Sequence, residues 1–286
     1  ATLLVIPYME QEFGGWYVKG GLYRIVETLE ALAVRNGVEI RKLCRVSSIA
    51  RQGRRVRAAV LEDGATLPAD IVVMNGDVAT APGLLGETSD AAPGDRSLSG
   101  LVLLLGVRRK LPALGQHTVY FSPDYPAEFD QLFRRRVFPT DPTVYVNIPS
   151  RNDPSAAPEG CETVFLMANA PAAGDWDESS VRQAVDRVFA TLARGGFPDL
   201  RAEAEVFDVW HPGRLARRYL CPGGAIYGTH SHGWRRAFLR PPCKDPRYAG
   251  LYYTGGSAHP GGGTPTVLLS AEIAAGLIRK YEGAPS

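Results

Sequence analysis

The feature that most restricts how this chain can fold lies near its C-terminus, in Gly250-LYYT, then Gly255-GSAHPGGGTPTV, then the helical run Ser270-AEIAAGLIRKYE. An apolar run of strand length passes through five glycines and two prolines into a helix. Backbone this free can bring N–H groups against a ligand, and the helix that follows aims the positive end of its dipole at the same place. The same sequence also suits a tight strand-to-helix turn with nothing bound, and both readings stand at this point. Thr264-Pro265 reads as an N-cap followed by proline at the first helical position. That places Ser270 and Glu272 inside the helix, in packing or surface roles.

Composition excludes several classes of function. The chain has 286 residues, 45% hydrophobic and 22% charged, which suits one large globular domain or two smaller ones. A formal charge of +2 offers no nucleic-acid surface, and Arg51-QGRRVR and Arg134-RR read as solvated turns and helix ends. The four cysteines, Cys44, Cys161, Cys221 and Cys243, form no CxxC pair, which argues against zinc and fits a reducing compartment. His230 and His232 are the closest histidine pair, with no third ligand in sequence, so we expect no metal. No apolar run approaches the roughly 18 residues of a membrane span, and no signal peptide is visible. The expectation is a cytoplasmic protein that does not cross a membrane.

Ala1-TLLVIPYMEQEF begins in apolar, structured-looking sequence, as a chain entered in mid-domain would. In the run from Gly20 to Gly37, Leu22, Ile25, Val26, Leu29, Leu32 and Ala33 mark one face of a helix that stops at Asn36-Gly37. Three short alternating runs follow, with turns at Gly53 and Asp63-Gly64. Ala69-DIVVM is almost continuously apolar, as a strand buried on both faces would be.

From Val78 to about Trp234 the texture changes. Leu101-VLLLGVRR, His117-TVYFS, Val144-YVNIP and Glu162-TVFLMANAP read as strands of a mixed sheet, interrupted by helical segments at Tyr125-PAEFDQLFRR and from Glu178 to Gly196. In the second helix Val181, Ala184, Val185, Val188, Phe189 and Leu192 fall on one face. Glu203 and Glu205 alternate as the polar face of a strand. We therefore expect an α/β domain interrupted by an α+β domain: residues 1–85 in the first, 86–235 in the insertion, and 236–286 returning to the first. Trp16, Tyr17, Tyr23, Trp210, Tyr219, Tyr227, Trp234 and Phe238 cluster near the glycine motifs and suit either a core or the lining of an apolar tunnel.

Pro222-GGAIYG, Leu239-RPP, the block from Gly250 to Ile278 and the early Phe13-GGWYVKGGLYRIVETLEALA together resemble the phytoene desaturase family of carotenoid-forming flavoproteins. The resemblance extends over nearly the whole chain and implies an FAD/NAD(P)-binding α/β domain interrupted by a substrate-binding domain. It further implies that Gly255, Gly256, Gly263, Thr264, Pro265, Thr266 and Val267 line FAD, that His259 and Pro260 shape the bend, and that the backbone at Val46 meets the adenine. Trp16, Tyr227 and Phe238 would then touch a long apolar isoprenoid or polyene, drawn from a membrane the protein contacts peripherally. The reaction implied is dehydrogenation of a C–C bond, with no general base to name. A GxGxxG turn with an acidic residue about twenty positions on, which would hold the ADP half of FAD, is absent from the sequence. The expectation is the C-terminal part of a longer desaturase, with FAD binding dependent on an N-terminal part. The alternative is a catalytically silent module for an apolar ligand.

Overall fold

The structure is a computed structural model that describes residues 5–88, 96–172, 176–230 and 240–283. The chain opens with two helices, α1 (Val5–Phe13) and α2 (Tyr23–Arg35), the second ending at Asn36-Gly37, where Gly37 takes φ +79°. β1 (Val46–Gln52), β2 (Arg55–Leu61) and β3 (Thr66–Pro68) form an antiparallel meander turned at Gly53 and at Asp63-Gly64. Its hairpins sit where glycine permits positive φ.

α2 departs from expectation. Its apolar face exists, yet no residue of the helix is buried: Leu22, Val26, Leu29 and Leu32 are each about half exposed or more. The helical period was legible; the surface it should lie on is not among the described residues. β4 (Val72–Met74) shows the same departure, because Val73 is 46% exposed in a strand expected to be covered on both faces. Among the described residues its sheet has two strands, β4 pairing in parallel with β10 (Leu251–Tyr253) near the other end of the chain.

After the short helix α3 (Ala81–Leu84) the chain builds a five-stranded sheet from β5 (Ser99–Val107), β6 (His117–Tyr120), β7 (Val144–Asn147), β8 (Glu162–Ala170) and β9 (Ala204–Trp210), ordered β6-β7-β8-β5-β9. Every pair is antiparallel, in place of the mixed sheet expected. The reason is topological. β8 and β9 run parallel to each other, but the crossover through α5 (Glu178–Arg194) carries β9 past β5, so β5 lies between them. Asp177 caps α5 by accepting the Ser180 N–H at 2.7 Å. The helix then lays Ala184, Val185, Val188, Phe189 and Leu192 on the inner face of the sheet, against Leu101, Leu103, Leu105, Val146 and Leu166. Those leucines are 0–1% exposed, each worth about 1.5–3 kcal/mol of burial.

α4 (Tyr125–Phe129) starts at an Asp124 cap and widens into a π-helical turn over Asp130–Arg135 that ends on Arg136 in the left-handed region. Glu203 and Glu205 pair with Arg109 and Arg108 along the edge of the sheet. α6 (Pro212–Tyr219) follows β9, and α7 (Thr264–Glu282) follows β10. A second core of Ile49, Val56, Met74, Leu251 and Tyr253 joins the meander to the β4–β10 pair.

Candidate cofactor and ligand site

β4 and β10 are parallel and leave their sheet at the same end, one into Asn75-Gly76-Asp77 and the other into the glycine loop from Thr254 to Gly263. In open α/β sheets, ligands bind beyond the carboxyl ends of parallel strands. The two exits are tied together: Thr254 N–H donates to Met74 O at 3.0 Å, and the Thr254 hydroxyl donates to Asn75 Oδ1 at 3.2 Å.

The glycines of the loop divide by what confines them. Gly255 is a fold residue. Its N–H donates to Ser270 Oγ at 2.9 Å, its φ is +96°, and an added Cβ would lie 2.6 Å from Asn75 Oδ1. Gly262 makes room for an aromatic ring, since a Cβ there would meet Tyr227 Cδ1 at 2.3 Å. Gly256 differs from both: an added Cβ would make only ordinary contact, 3.5 Å from Gly262 Cα, and its φ lies outside the left-handed region. Gly263 (φ +122°) occupies the cap position of α7, so Thr264 and Pro265 are the first helical residues and Thr264 is not the cap. Gly263 has no side chain with which to cap this helix, and Thr266 Oγ1 donates back to Gly263 O at 2.8 Å. The first-turn N–H groups are therefore left to face the loop, the arrangement that receives an anion.

Side chains pin the loop from behind. Ser257 Oγ accepts the Val78 N–H at 3.0 Å, Arg240 donates to Gly256 O at 2.9 Å and to Tyr227 O, and Cys243 Sγ donates to His259 O at 3.0 Å. His259 is exposed, with its backbone N–H donating to Pro241 O at 2.8 Å. Burial pushes the Cys243 thiol up and the Arg240 guanidinium down from their ordinary values. It also pushes the Asp77 carboxyl up, opposed by the Ala79 N–H and by the charges of Arg96 and Arg240.

Two cavities flank this junction. A cleft of about 830 Å³ is lined by Val46, Met74, Gly76, Asp77, Tyr219 and Pro222, among others. A second, of about 330 Å³, is lined by Ser97, Met167, Asn169, Tyr227, His230 and Gly262. Val46 thus lies in the larger cleft and Tyr227 in the smaller one. Met74 lines the cleft and also accepts the Thr254 N–H of the loop.

Trp16 stands apart from this arrangement: it is 89% exposed, with its indole N–H donating to Phe13 O at 2.9 Å. Its neighbours Tyr17 and Gly20 reach the connection between β7 and β8 by donating to Asp153 Oδ2 at 3.1 and 2.8 Å. Phe238, Trp234 and His232 lie outside the described residues. Asn75, Arg240 and Gly262 were not singled out from sequence. Asn75-Gly76 reads as a strand end, the Gly262 signal is the glycine run itself, and Arg240 enters only within the Leu239-RPP stretch, because its reach to two carbonyls is tertiary.

No family model matches the chain. It is 37% identical over 285 residues to 4,4'-diapolycopene oxygenase of a Methylomonas species, covering 96% of this chain and 56% of that protein. It is 37% identical over 281 residues to 1-hydroxycarotenoid 3,4-desaturase of a Flavobacterium, covering 96% and 57%. It is also 35% identical over 283 residues to zeta-carotene-forming phytoene desaturase of Myxococcus xanthus, covering 94% and 53%. The chain spans about half the length of these curated relatives. Among solved structures, an oxidoreductase from Methanosarcina mazei aligns with a TM-score of 0.63 at 19% identity, covering 97% of this chain and 58% of that one. A protein of Pyrococcus furiosus aligns with a TM-score of 0.54 at 17% identity, covering 97% and 56%. These last two support the fold.

Proposed function

Because the chain belongs to the carotenoid desaturase family, we propose that it forms part of an FAD-dependent oxidoreductase that dehydrogenates a long apolar isoprenoid such as phytoene. The observation that carries this reading is the glycine loop at the shared carboxyl end of β4 and β10, with a cleft on one side and an aromatic-lined cavity on the other. The residues present fit FAD: the start of α7 has no side-chain cap, and neither a positive φ nor a close contact within the chain requires glycine at Gly256. Val46 would meet the adenine, while Gly255, Gly256, His259, Gly263, Thr264, Pro265, Thr266 and Val267 would border the isoalloxazine and pyrophosphate. The N–H groups of Thr264 and Thr266 would meet anionic oxygen. FAD, when bound, supplies the hydride acceptor. Tyr227, packed on Gly262, would hold the polyene against the loop and exclude water, with Phe238 and Trp16 as further contacts.

Peripheral contact with a membrane belongs to the same proposal. Among the described residues no helix is long and apolar enough to cross one. What supports a peripheral contact is a row of rings, Phe121, Tyr125, Phe129 and Phe133, with successive centroids 6.2, 4.8 and 5.7 Å apart. Phe121 is 69% exposed, and Phe133 lines the cavity of Tyr227. The row would lead a greasy substrate from lipid to the loop.

The exposed apolar face of α2 and the uncovered Val73 support a second element of the proposal: a further stretch of the same protein covers them and completes the ADP half of the site. The experiment is flavin stoichiometry by absorbance. The 286-residue chain should purify with little or no FAD, and a chain extended at its N-terminus should purify yellow with about one FAD. Full flavin in the 286-residue chain would remove the need for the extension. Absence of flavin from both forms would leave the chain as a silent module for an apolar ligand.

A further inference from the structure

Three consecutive arginines, Arg134, Arg135 and Arg136, end the π-helical turn, and the structure gives them different partners. Arg134 and Arg135 both pair with Asp130, at 3.0 and 2.8 Å. Arg136 leaves the turn at φ +56°, and its guanidinium has neither a carboxylate nor a hydrogen-bond acceptor among the described residues. It lines a cavity of about 350 Å³ instead.

The facing wall of that cavity is α5, whose Ser180, Gln183, Ala184 and Arg187 all line it and stand at the i, i+3, i+4, i+7 spacing of one helix face. Arg187 Nη1 donates to Phe138 O at 2.9 Å and to Pro139 O at 3.4 Å, which fixes the guanidinium and leaves Nε and Nη2 without a partner among the described residues. Trp176 completes the wall, edge-on to Phe138 with centroids 5.8 Å apart. Among the described residues no carboxylate lines the cavity, and the adjacent Asp177 is occupied in capping α5. Two guanidinium groups thus border one concavity without an acid to balance them.

Such a cavity selects an anion, and paired guanidinium N–H groups match the oxygens of a phosphate. Its volume falls within the roughly 300–1,000 Å³ of small-molecule sites, enough for a phosphate with its ester substituents. The surroundings indicate what carries that phosphate. Arg136 follows Phe133 by three residues, so their Cα atoms are at most about 11 Å apart. Phe133 ends the row of rings that begins at exposed Phe121, and Val137, which lines the cavity, is itself 48% exposed. Exposed apolar side chains beside basic ones are the pattern of a segment that lies in a membrane interface. A soluble phosphate would account for the arginines and leave the rings unexplained.

We infer that the cavity between Arg136 and Arg187 binds the phosphate of an anionic phospholipid, while Phe121, Tyr125 and Val137 enter the adjoining acyl region. The inference rests on the peripheral membrane contact proposed above and adds to it a lipid charge class and a headgroup site.

The test is flotation of the 286-residue chain with phosphatidylcholine vesicles, with and without phosphatidylglycerol, at physiological salt. The wild type should prefer the anionic vesicles by roughly thirtyfold, the product of two basic side chains at such a surface. Arg136→Gln, at an exposed side chain without a partner, should cut the preference about fivefold and leave thermal unfolding unchanged. Arg134→Gln removes the same charge from a residue already paired with Asp130 and should cost less. Gln183→Trp fills the cavity from an exposed position without altering charge, and should lower the preference at least as far as Arg136→Gln. Equal binding of both vesicles by the wild type, or an unchanged preference in Gln183→Trp, overturns the headgroup site and leaves the membrane contact standing. Quenching of tryptophan fluorescence by inorganic phosphate, with no preference between vesicles, would assign the cavity to a soluble phosphate and overturn the lipid assignment. Failure to float with either vesicle overturns the site and the membrane contact together, and leaves the flavin reading to its own stoichiometry test.

Discussion

The hydroxyl of Ser270, buried in α7, accepts the backbone N–H of Gly255 at 2.9 Å and donates to Val267 O at 2.6 Å. The helix thereby fixes the start of the loop that precedes it in sequence. Ser270→Ala should leave the Gly255 N–H buried without a partner and destabilise the chain by about 1–3 kcal/mol. Urea unfolding should show a lower midpoint with the slope unchanged. An unshifted midpoint would mean that the loop is held without this bond.

Gly255 and Gly256 are adjacent, and substitution should separate them. Gly255→Ala forces an L side chain into φ +96° with Asn75 Oδ1 2.6 Å away, and should destabilise the fold by about 1–3 kcal/mol. Gly256→Val meets no such conflict within the chain, so the fold should survive. In the flavin-loaded longer protein, Gly256→Val should lose FAD because its branched side chain enters the cofactor's space. Retention of full flavin by that variant would reduce the loop to a strand-to-helix turn.

Gly262 and Tyr227 should be energetically coupled. Gly262→Ala places a methyl 2.3 Å from the Tyr227 ring, so the ring must move. Tyr227→Ala removes the obstacle. A double-mutant cycle on thermal unfolding should therefore show that Gly262→Ala costs less when Tyr227 is already alanine, with a coupling of about 0.5–3 kcal/mol. Additive effects would show that the two do not meet.

Asp153 links the segment around Tyr17 and Gly20 to the connection between β7 and β8. Its carboxyl is held down at about 2, first by the Ser155 hydroxyl and then by the N–H of Gly20, with the Tyr17 hydroxyl adding to them. A carboxylate whose folded value is depressed contributes stability above its unfolded value near 4, and that contribution disappears as pH falls through about 2. Acid-stable protease should therefore cut between Phe13 and Gly21 faster at pH 2 than at pH 5. Asp153→Asn should cut fast at both. Equal cleavage of the wild type at the two pH values would show that this contact does not hold the segment.

The sequence alone determined the local elements and the place of the loop. Alternation and turn glycines marked β1 to β3, the 3.6-residue period marked α2 and α5, and a glycine run between strand and helix marked the site, because these signals depend on neighbours along the chain. Tertiary structure alone decided which atoms each element would meet. The period of α2 could not reveal that its apolar face would be uncovered. The continuous apolar run at Val72–Met74 could not tell whether one partner strand or two would flank it. The division of labour among Gly255, Gly256 and Gly262 depends on Asn75 and Tyr227, 180 and 35 residues away from Gly255 and Gly262 respectively. Burial and hydrogen-bond partners across such separations are fixed when distant segments pack, and local propensity contains no record of them.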